Sequence, residues 1–242
     1  MVKRSDTSDS LVYHSFAKPS KQLILEILEA IRASLGFDPL ADRRAAVLLE
    51  TLLYEAMSEE RLASIRDIKA IVEGRLVSVV ASGACLEKEA NLIEGVIIAA
   101  DGATSVLLHM GFDCPDIIVT DLDGPLEDIL WCAYRGSLIV VHAHGDNAWL
   151  LHEIVPRTPL VAGSVQVEPL LGLAMLLPGF TDGDRAAWLA HVAGASKIRL
   201  VGWCPDAPQH PLSKRLVNPL KRRKLVIAEK LLEMLKGYRG EL

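Results

Sequence analysis

The residues able to do chemistry gather in two acidic turns, each closing an apolar run. One is Pro115-Asp116-Ile117-Ile118-Val119-Thr120-Asp121-Leu122-Asp123-Gly124. The other is Leu138-Ile139-Val140-Val141-His142-Ala143-His144-Gly145-Asp146-Asn147. Both start β-branched and end in metal-ligand residue types at alternate positions. Side chains alternate faces along a strand, so Asp121 and Asp123 are expected on one side, as are His142 and His144. Carboxylates collected at the C-terminal ends of parallel strands usually hold Mg²⁺ against a polyphosphate. The chemistry to expect is phosphoryl or diphosphoryl transfer.

Asp121 and Asp123 repel each other unless a cation lies between them, which favours a metal over a solvated turn. The spacing is not that of an EF-hand, because Gly124 comes too early and Cys132 stands where the closing Glu belongs. Glycosyltransferases also use a bare Asp-x-Asp, there to hold a metal on a sugar nucleotide. The run from His142 to Asp146 nearly matches the His-x-His-x-Asp-His zinc pattern of the metallo-β-lactamase fold, but Asn147 replaces the final His. Two further turns lead from strand to helix. In 99–103, Asp101 and Gly102 stand where a carboxylate can cap the helix or meet a metal or a ribose. In 81–86, Ser82 and Gly83 stand where backbone N–H groups can cradle a phosphate. Thr181 and Asp184 form a capping-box pattern, leaving Asp182 and Arg185 for a site. Near the C-terminus, Asn218 and Pro219 suit the start of a helix whose first turns carry Lys221, Arg222, Arg223 and Lys224. Cations oppose the positive end of a helix dipole, so the run is either a solvated basic face or is offset by a bound triphosphate that reaches at least one of Arg222, Arg223 and Lys224.

These turns need a frame. Apolar stripes at helical spacing predict helices over 21–35 and 42–57 and a third near 62–68, following a poorly ordered lead-in over 1–20. The pattern then changes to short β-branched runs at 76–81, 96–100, 116–120, 138–143 and 198–203, with a weaker run at 159–167. Helical stretches alternate with them, and a last helix covers 219–235. Alternating strands and helices predict an α/β fold, a doubly wound, mostly parallel, Rossmann-like sheet with a helical N-terminal segment. Continuous rather than alternating apolar strands support burial on both faces. The expected division is a helical segment over 1–73 and a catalytic domain over 74–242.

Composition narrows the function classes. The 242 residues carry a formal net charge of −5, which argues against general nucleic-acid affinity. Cys85, Cys114, Cys132 and Cys204 show no Cys-x-x-Cys spacing, so a zinc site is not expected, and scattered cysteines fit a reducing cytoplasm. No apolar run reaches the roughly 20 residues that span a bilayer, so no membrane association is expected.

The ordered set Ser-Gly-Ala-Cys-Leu-Glu (82–87), Ala-Ala-Asp-Gly-Ala (99–103), the Asp121/Asp123 turn, the His142–Asn147 turn and Gly-Phe-Thr-Asp-Gly-Asp-Arg-Ala (179–186) resembles the archaeal-type 6-hydroxymethyl-7,8-dihydropterin pyrophosphokinase family, itself related to thiamin pyrophosphokinases. The resemblance spans about residues 40–236. Two departures are visible: the family's first turn reads like Gly-x-Gly-Pro-Ser, here Ala81-Ser82-Gly83-Ala84-Cys85, and 202–206 differs after the last strand. The resemblance implies a Mg²⁺-dependent diphosphotransferase. A small heterocyclic alcohol, the hydroxymethylpterin, attacks the β-phosphorus of the co-substrate ATP, AMP leaves, and the product feeds tetrahydromethanopterin- or folate-type cofactor synthesis. Asp121 and Asp123 would hold Mg²⁺, with Asp101 and Asp146 completing an acidic cup. His142 or His144 would touch phosphate or take the hydroxyl proton, with His144 the catalytic one. Ser82, Gly83, Gly102, Asn147, Asp182 and Arg185 join the nucleotide set. Thiamin pyrophosphokinase, an Asp-x-Asp glycosyltransferase and a non-catalytic nucleotide-binding module stay open, as does a homodimer.

Overall fold

A computed structural model describes residues 12–13, 20–213 and 219–237. The N-terminal segment is helical for the reasons its sequence gives. Helix α1 (Lys21–Leu35) is capped by Ser20, whose Oγ accepts from Leu23 N, and is stopped by Gly36 in the left-handed region. Helix α2 (Pro39–Ser58) starts earlier than its apolar stripe predicts, because Asp38 caps it and Pro39 suits the first position. A capping box between Ser64 and Asp67 opens α3 (Ile65–Val72).

Strands and helices then alternate as expected. β2 (Leu76–Val80) leads to α4 (Leu86–Glu89), β3 (Val96–Ala100) to α5 (Ala103–His109), and β4 (Ile117–Thr120) to α6 (Leu126–Ala133). β5 (Leu138–Ala143) leads to α7 (Ala148–Ile154) and β6 (Val161–Val165). β7 (Ala174–Leu176), α8 (Asp182–Val192), β8 (Lys197–Val201) and α9 (Pro219–Gly237) follow. With β1 (Val12–Tyr13), the described residues form one eight-stranded sheet in the order β1-β8-β2-β3-β4-β5-β6-β7, parallel except for β1 against β8. β1 lies inside the expected lead-in; the remainder of 1–19 and the cap Asn218 lie outside the described residues. β7 was not expected either: three residues between Gly172 and Pro178 carry too little pattern to read as a strand.

The strand order decides where the helices go. From β2 to β7 each strand is laid beside its predecessor, so right-handed crossovers put the intervening helices on one face. The chain then returns to set β8 beside β2, which puts α8 on the other. The cores agree. Trp188 and Leu189 of α8 pack with Ile117, Val119 and Val140 on one face. Leu49 and Leu53 of α2, Ile129 of α6 and Leu151 of α7 pack with Ile118, Ile139 and Val141 on the other. Adjacent residues of one strand thus enter different cores, which explains the continuous apolar runs. The chain after β2 goes to one face, while the chain after β8 goes to α9 on the α8 face, as Leu232 and Leu235 in that core show. A crevice therefore opens between the C-terminal ends of β2 and β8, the switch point where α/β folds take ligands.

That return also pairs the cysteines. Cys85 and Cys204, 119 residues apart, follow adjacent strands and are disulfide-bonded with Cα atoms 6.3 Å apart. Cys114 and Cys132 are bonded likewise at 5.3 Å, so no described cysteine is free. The reading of scattered thiols is corrected here: linear spacing hides neighbours that a long crossover creates.

α2 also fixes the irregular chain before β7. Its buried Glu50 accepts from the N–H groups of Leu170, Leu171, Leu173 and Ala174 at 2.6–3.2 Å. Without that carboxylate, four amide donors on one stretch lose their acceptor. Hydrogen bonds to a charged group contribute about 1.5–3 kcal/mol, and buried unsatisfied groups cost comparable amounts. We predict that Glu50→Ala lowers unfolding free energy by about 3 kcal/mol or more in urea titration and exposes 170–174 to rapid amide exchange. Unchanged exchange there would contradict the role.

Candidate active site at the strand ends

Asp101, Asp121 and Asp123 place one carboxylate oxygen each within 4.8 Å of one another, at the ends of β3 and β4. Asp101 is buried, Asp121 half-buried and Asp123 exposed. The gathering is the work of a turn rather than of strand alternation, since β4 ends at Thr120. Asp101 and Leu122 both take positive φ, 47° and 69°, conformations costly for residues with a Cβ. Thr120 holds them: its Oγ1 donates to Asp101 Oδ1 at 2.6 Å and accepts from Leu122 N at 2.8 Å. A Cβ at Gly124 would collide with the Asp101 carboxylate, so only glycine lets the turn close over that acid.

The second turn is stapled to the first. Asn147 Nδ2 donates to Asp121 O at 2.7 Å and to His142 O at 2.8 Å, and its Oδ1 accepts from His144 N at 3.1 Å. The side chain expected beside nucleotide, at the position that breaks the zinc pattern, joins the two turns. His144 Nε2 lies 3.5 Å from Asp121 Oδ2. His142 is buried, with Nδ1 3.1 Å from Ser164 Oγ and Nε2 without a hydrogen-bond partner among the described residues. Asp146 is exposed and lies outside the three-carboxylate group.

Two clefts flank the cluster. The first, about 510 Å³, lies at the switch point between Ser82 and Gly83 after β2, Asp101, Trp203 after β8, Asp182 at the start of α8, and Lys221 on α9. The second, about 580 Å³, is lined by Asp121, His142, His144, Asp146, Arg185 and Lys224, together with Phe37, Asp42 and Gln166. The 81–85 turn differs from its expected use. Gly83 N, Ala84 N and Cys85 N donate to Gly202 O, Pro208 O and Cys204 Sγ, and Ser82 Oγ donates to Gln209. Those amides hold the loop after β8 and are not open to a phosphate. The positive end of α8, at Thr181–Gly183, faces the first cleft instead. Gly102 packs against Ser213. On α9, Arg222 and Arg223 are exposed, and Arg223 donates to Ser34 O at the end of α1. Lys221 reaches the first cleft and Lys224 the second, one helical turn apart. Sequence reasoning passed over Phe37, Asp42, Gln166 and Lys221 as site residues; only the basic run on α9 carried a signal.

A family model described as "6-hydroxymethylpterin diphosphokinase MptE-like" matches residues 51–203, more than half of the chain. The chain belongs to this family. Its curated relatives include three archaeal proteins named 6-hydroxymethyl-7,8-dihydropterin pyrophosphokinase. That of Pyrococcus furiosus is 42% identical over 221 residues, covering 86% of this chain and 91% of that one. Those of Methanocaldococcus jannaschii and Methanothermobacter thermautotrophicus are 38% and 35% identical, covering 71% and 83% of this chain and 74% and 88% of theirs. The span matched by the family model contains the acidic cluster and both histidines. Phe37, Asp42, Lys221 and Lys224 fall outside it.

The cluster's field reaches its neighbours. Burial first, then the charges of Asp121 and Asp101, raise the Asp182 carboxyl well above the usual range, against the pull of Arg185. Burial lowers Lys224, with Asp121 opposing. Burial, reinforced by the positive charge of Arg185, holds His142 well below its ordinary value, so it is neutral near pH 7. A histidine whose folded pKa lies below the unfolded one binds more protons unfolded, so stability falls as pH drops below about 6.5. The slope from one such group is at most about 1.4 kcal/mol per pH unit. We predict that His142→Gln flattens the loss of unfolding free energy between pH 7 and pH 5 relative to the wild type. Parallel pH profiles would show that His142 is not held neutral.

Proposed function

We propose that this protein is an ATP-dependent 6-hydroxymethyl-7,8-dihydropterin diphosphokinase. The observation that carries the reading is the three-carboxylate cluster, Asp101, Asp121 and Asp123, set between two clefts in a chain of this family. Three hard oxygen donors converging on one point suit Mg²⁺, and among the described residues no cysteine or histidine belongs to the group. Asp101, Asp121 and Asp123 would hold the ion, which would supply positive charge against the phosphates.

The chain's own residues do the rest. The α8 N-terminus and Lys221 attract the triphosphate into the first cleft, where Trp203 offers an apolar wall to the nucleoside. The acceptor's hydroxymethyl oxygen forms a bond to the β-phosphorus. The bond from that phosphorus to the α,β-bridging oxygen breaks, and AMP leaves with that oxygen. His144, half-buried beside Asp121, is placed to take the hydroxyl proton, whereas His142 sits in the interior. Lys224 adds positive charge next to Asp121 on the acceptor side. Dependence on ATP puts the reaction in the cytoplasm, and no helix among the described residues is long and apolar enough to cross a membrane.

Incubation with MgATP and 6-hydroxymethyl-7,8-dihydropterin should give AMP and the pterin diphosphate in equal amounts, with thiamin a poor acceptor. Preference for thiamin, release of a nucleoside diphosphate from a sugar nucleotide, or nucleotide binding with no turnover would each replace the proposal. We further predict that Asp123→Asn, exposed enough to leave the fold intact, lowers kcat on the order of 10³-fold, several kcal/mol of transition-state stabilisation. Activity should survive a zinc-selective chelator and vanish on removal of Mg²⁺. A folded Asp123→Asn protein with near-normal turnover would remove the cluster from the mechanism.

A further inference from the structure

We infer that the second cleft takes the flat ring of the acceptor, laid against Phe37 with its polar edge turned to His142 and Gln166, and that this wall selects the acceptor. The inference rests on the diphosphotransfer reading above.

The cleft's chemistry suits a flat heterocycle with a polar edge. It sets two aromatic rings, Phe37 and Phe180, among many polar and charged groups, including Asp42, His142, Gln166, Arg185 and Lys224. Lys224 Nζ lies 5.4 Å from the Phe37 ring centroid, and both residues line the cleft. His142 Nε2 is buried and has no partner among the described residues, a costly state that a ligand hydrogen bond would relieve. Gln166 is held from both ends. Its Nε2 donates to Asp42 Oδ2 at 2.9 Å, and its backbone carbonyl accepts from Arg32. A carboxylate cannot donate, so this contact fixes the amide orientation and leaves Oε1 as an acceptor for a ring N–H. Asp42 in turn accepts from Gly145 N at 2.9 Å, tying α2 to the histidine turn.

Position agrees with chemistry. Asp101 lines the first cleft and Asp121 the second, and both belong to one cluster. A hydroxymethyl group carried on a ring in the second cleft therefore meets the cluster at Asp121, while a nucleotide in the first cleft meets it at Asp101, so donor and acceptor reach the cluster through different carboxylates. The 37–42 wall and Lys224 also lie outside the family-matched span of 51–203. The carboxylate cluster and the α8 N-terminus sit within that span, whereas part of the acceptor wall comes from segments that flank it.

Affinity for 6-hydroxymethylpterin, followed by its fluorescence, and for the Mg²⁺ complex of α,β-methylene-ATP separates the clefts. Phe37→Leu keeps apolar packing but loses the ring face. It should weaken pterin binding at least tenfold and leave the nucleotide within twofold, with Phe37→Tyr restoring the pterin. Lys221→Ala should do the reverse. If the wild type turns over the pterin but Phe37→Leu binds it normally, or Lys221→Ala weakens it instead, the cleft assignment falls and the function stands. If the wild type binds the pterin in a Phe37-dependent way but transfers nothing to it, the function falls and the cleft assignment stands. If it neither binds nor uses the pterin, both fall.

Discussion

Like charges held close together are the constraint around which this molecule is arranged. Asp101, Asp121 and Asp123 converge within 4.8 Å, and two unit charges at such a distance near a protein surface repel by roughly 3–4 kcal/mol. Next door, burial first and then the charges of Asp121 and Asp101 push Asp182 toward its protonated form. The backbone opposes this repulsion at several points. Positive φ at Asp101 and Leu122, the Thr120 hydroxyl between them, and Gly124 pressed on the Asp101 carboxylate all hold the acids inward. Local strain maintained by several independent contacts is characteristic of sites where the geometry itself is used.

Topology then divides the space around those acids. The single reversal in strand order, from β7 back to β8, opens the first cleft and brings α8 and α9 to its mouth. The N-terminal segment helps wall a second cleft that meets the cluster at Asp121, with Phe37 and Asp42 in its lining. Asn147 fixes the histidine turn to the aspartate turn through two backbone carbonyls, so the two sides share one rigid floor. Lys221 and Lys224, a turn apart on α9, serve one cleft each. That arrangement suits transfer of a group from one bound molecule to another, with the carboxylate cluster at the crossing point.

Much of this was legible in the residues. Buried parallel strands announce themselves as continuous β-branched runs, and Asp38-Pro39 and Ser64 mark helix starts by local capping chemistry. Asp121 and Asp123 were legible as a pair because two adjacent acids need a cation. The route was misjudged, since the turn after Thr120, not strand alternation, gathers them. The 81–85 turn was read as free amides because a sequence does not show that the loop after β8, over 100 residues later, lies across it. The same long return hid the Cys85–Cys204 pairing. Phe37 and Gln166 give no signal in the sequence, and Asp42 is legible there only as part of the resembling helix start at 42–46, because each looks like ordinary linker, strand-end or helix chemistry until the helices fold over the sheet. Relationships within one strand–turn–helix unit are written locally; those made by crossovers are not.

The most direct measurement is anomalous diffraction from crystals grown with Mn²⁺ and α,β-methylene-ATP. The account predicts a manganese peak bonded to carboxylate oxygens of Asp101, Asp121 and Asp123, with the triphosphate entering from the side of Asp182 and Lys221. A peak on His142 and His144 instead, or a nucleotide lying against Phe37, would contradict it.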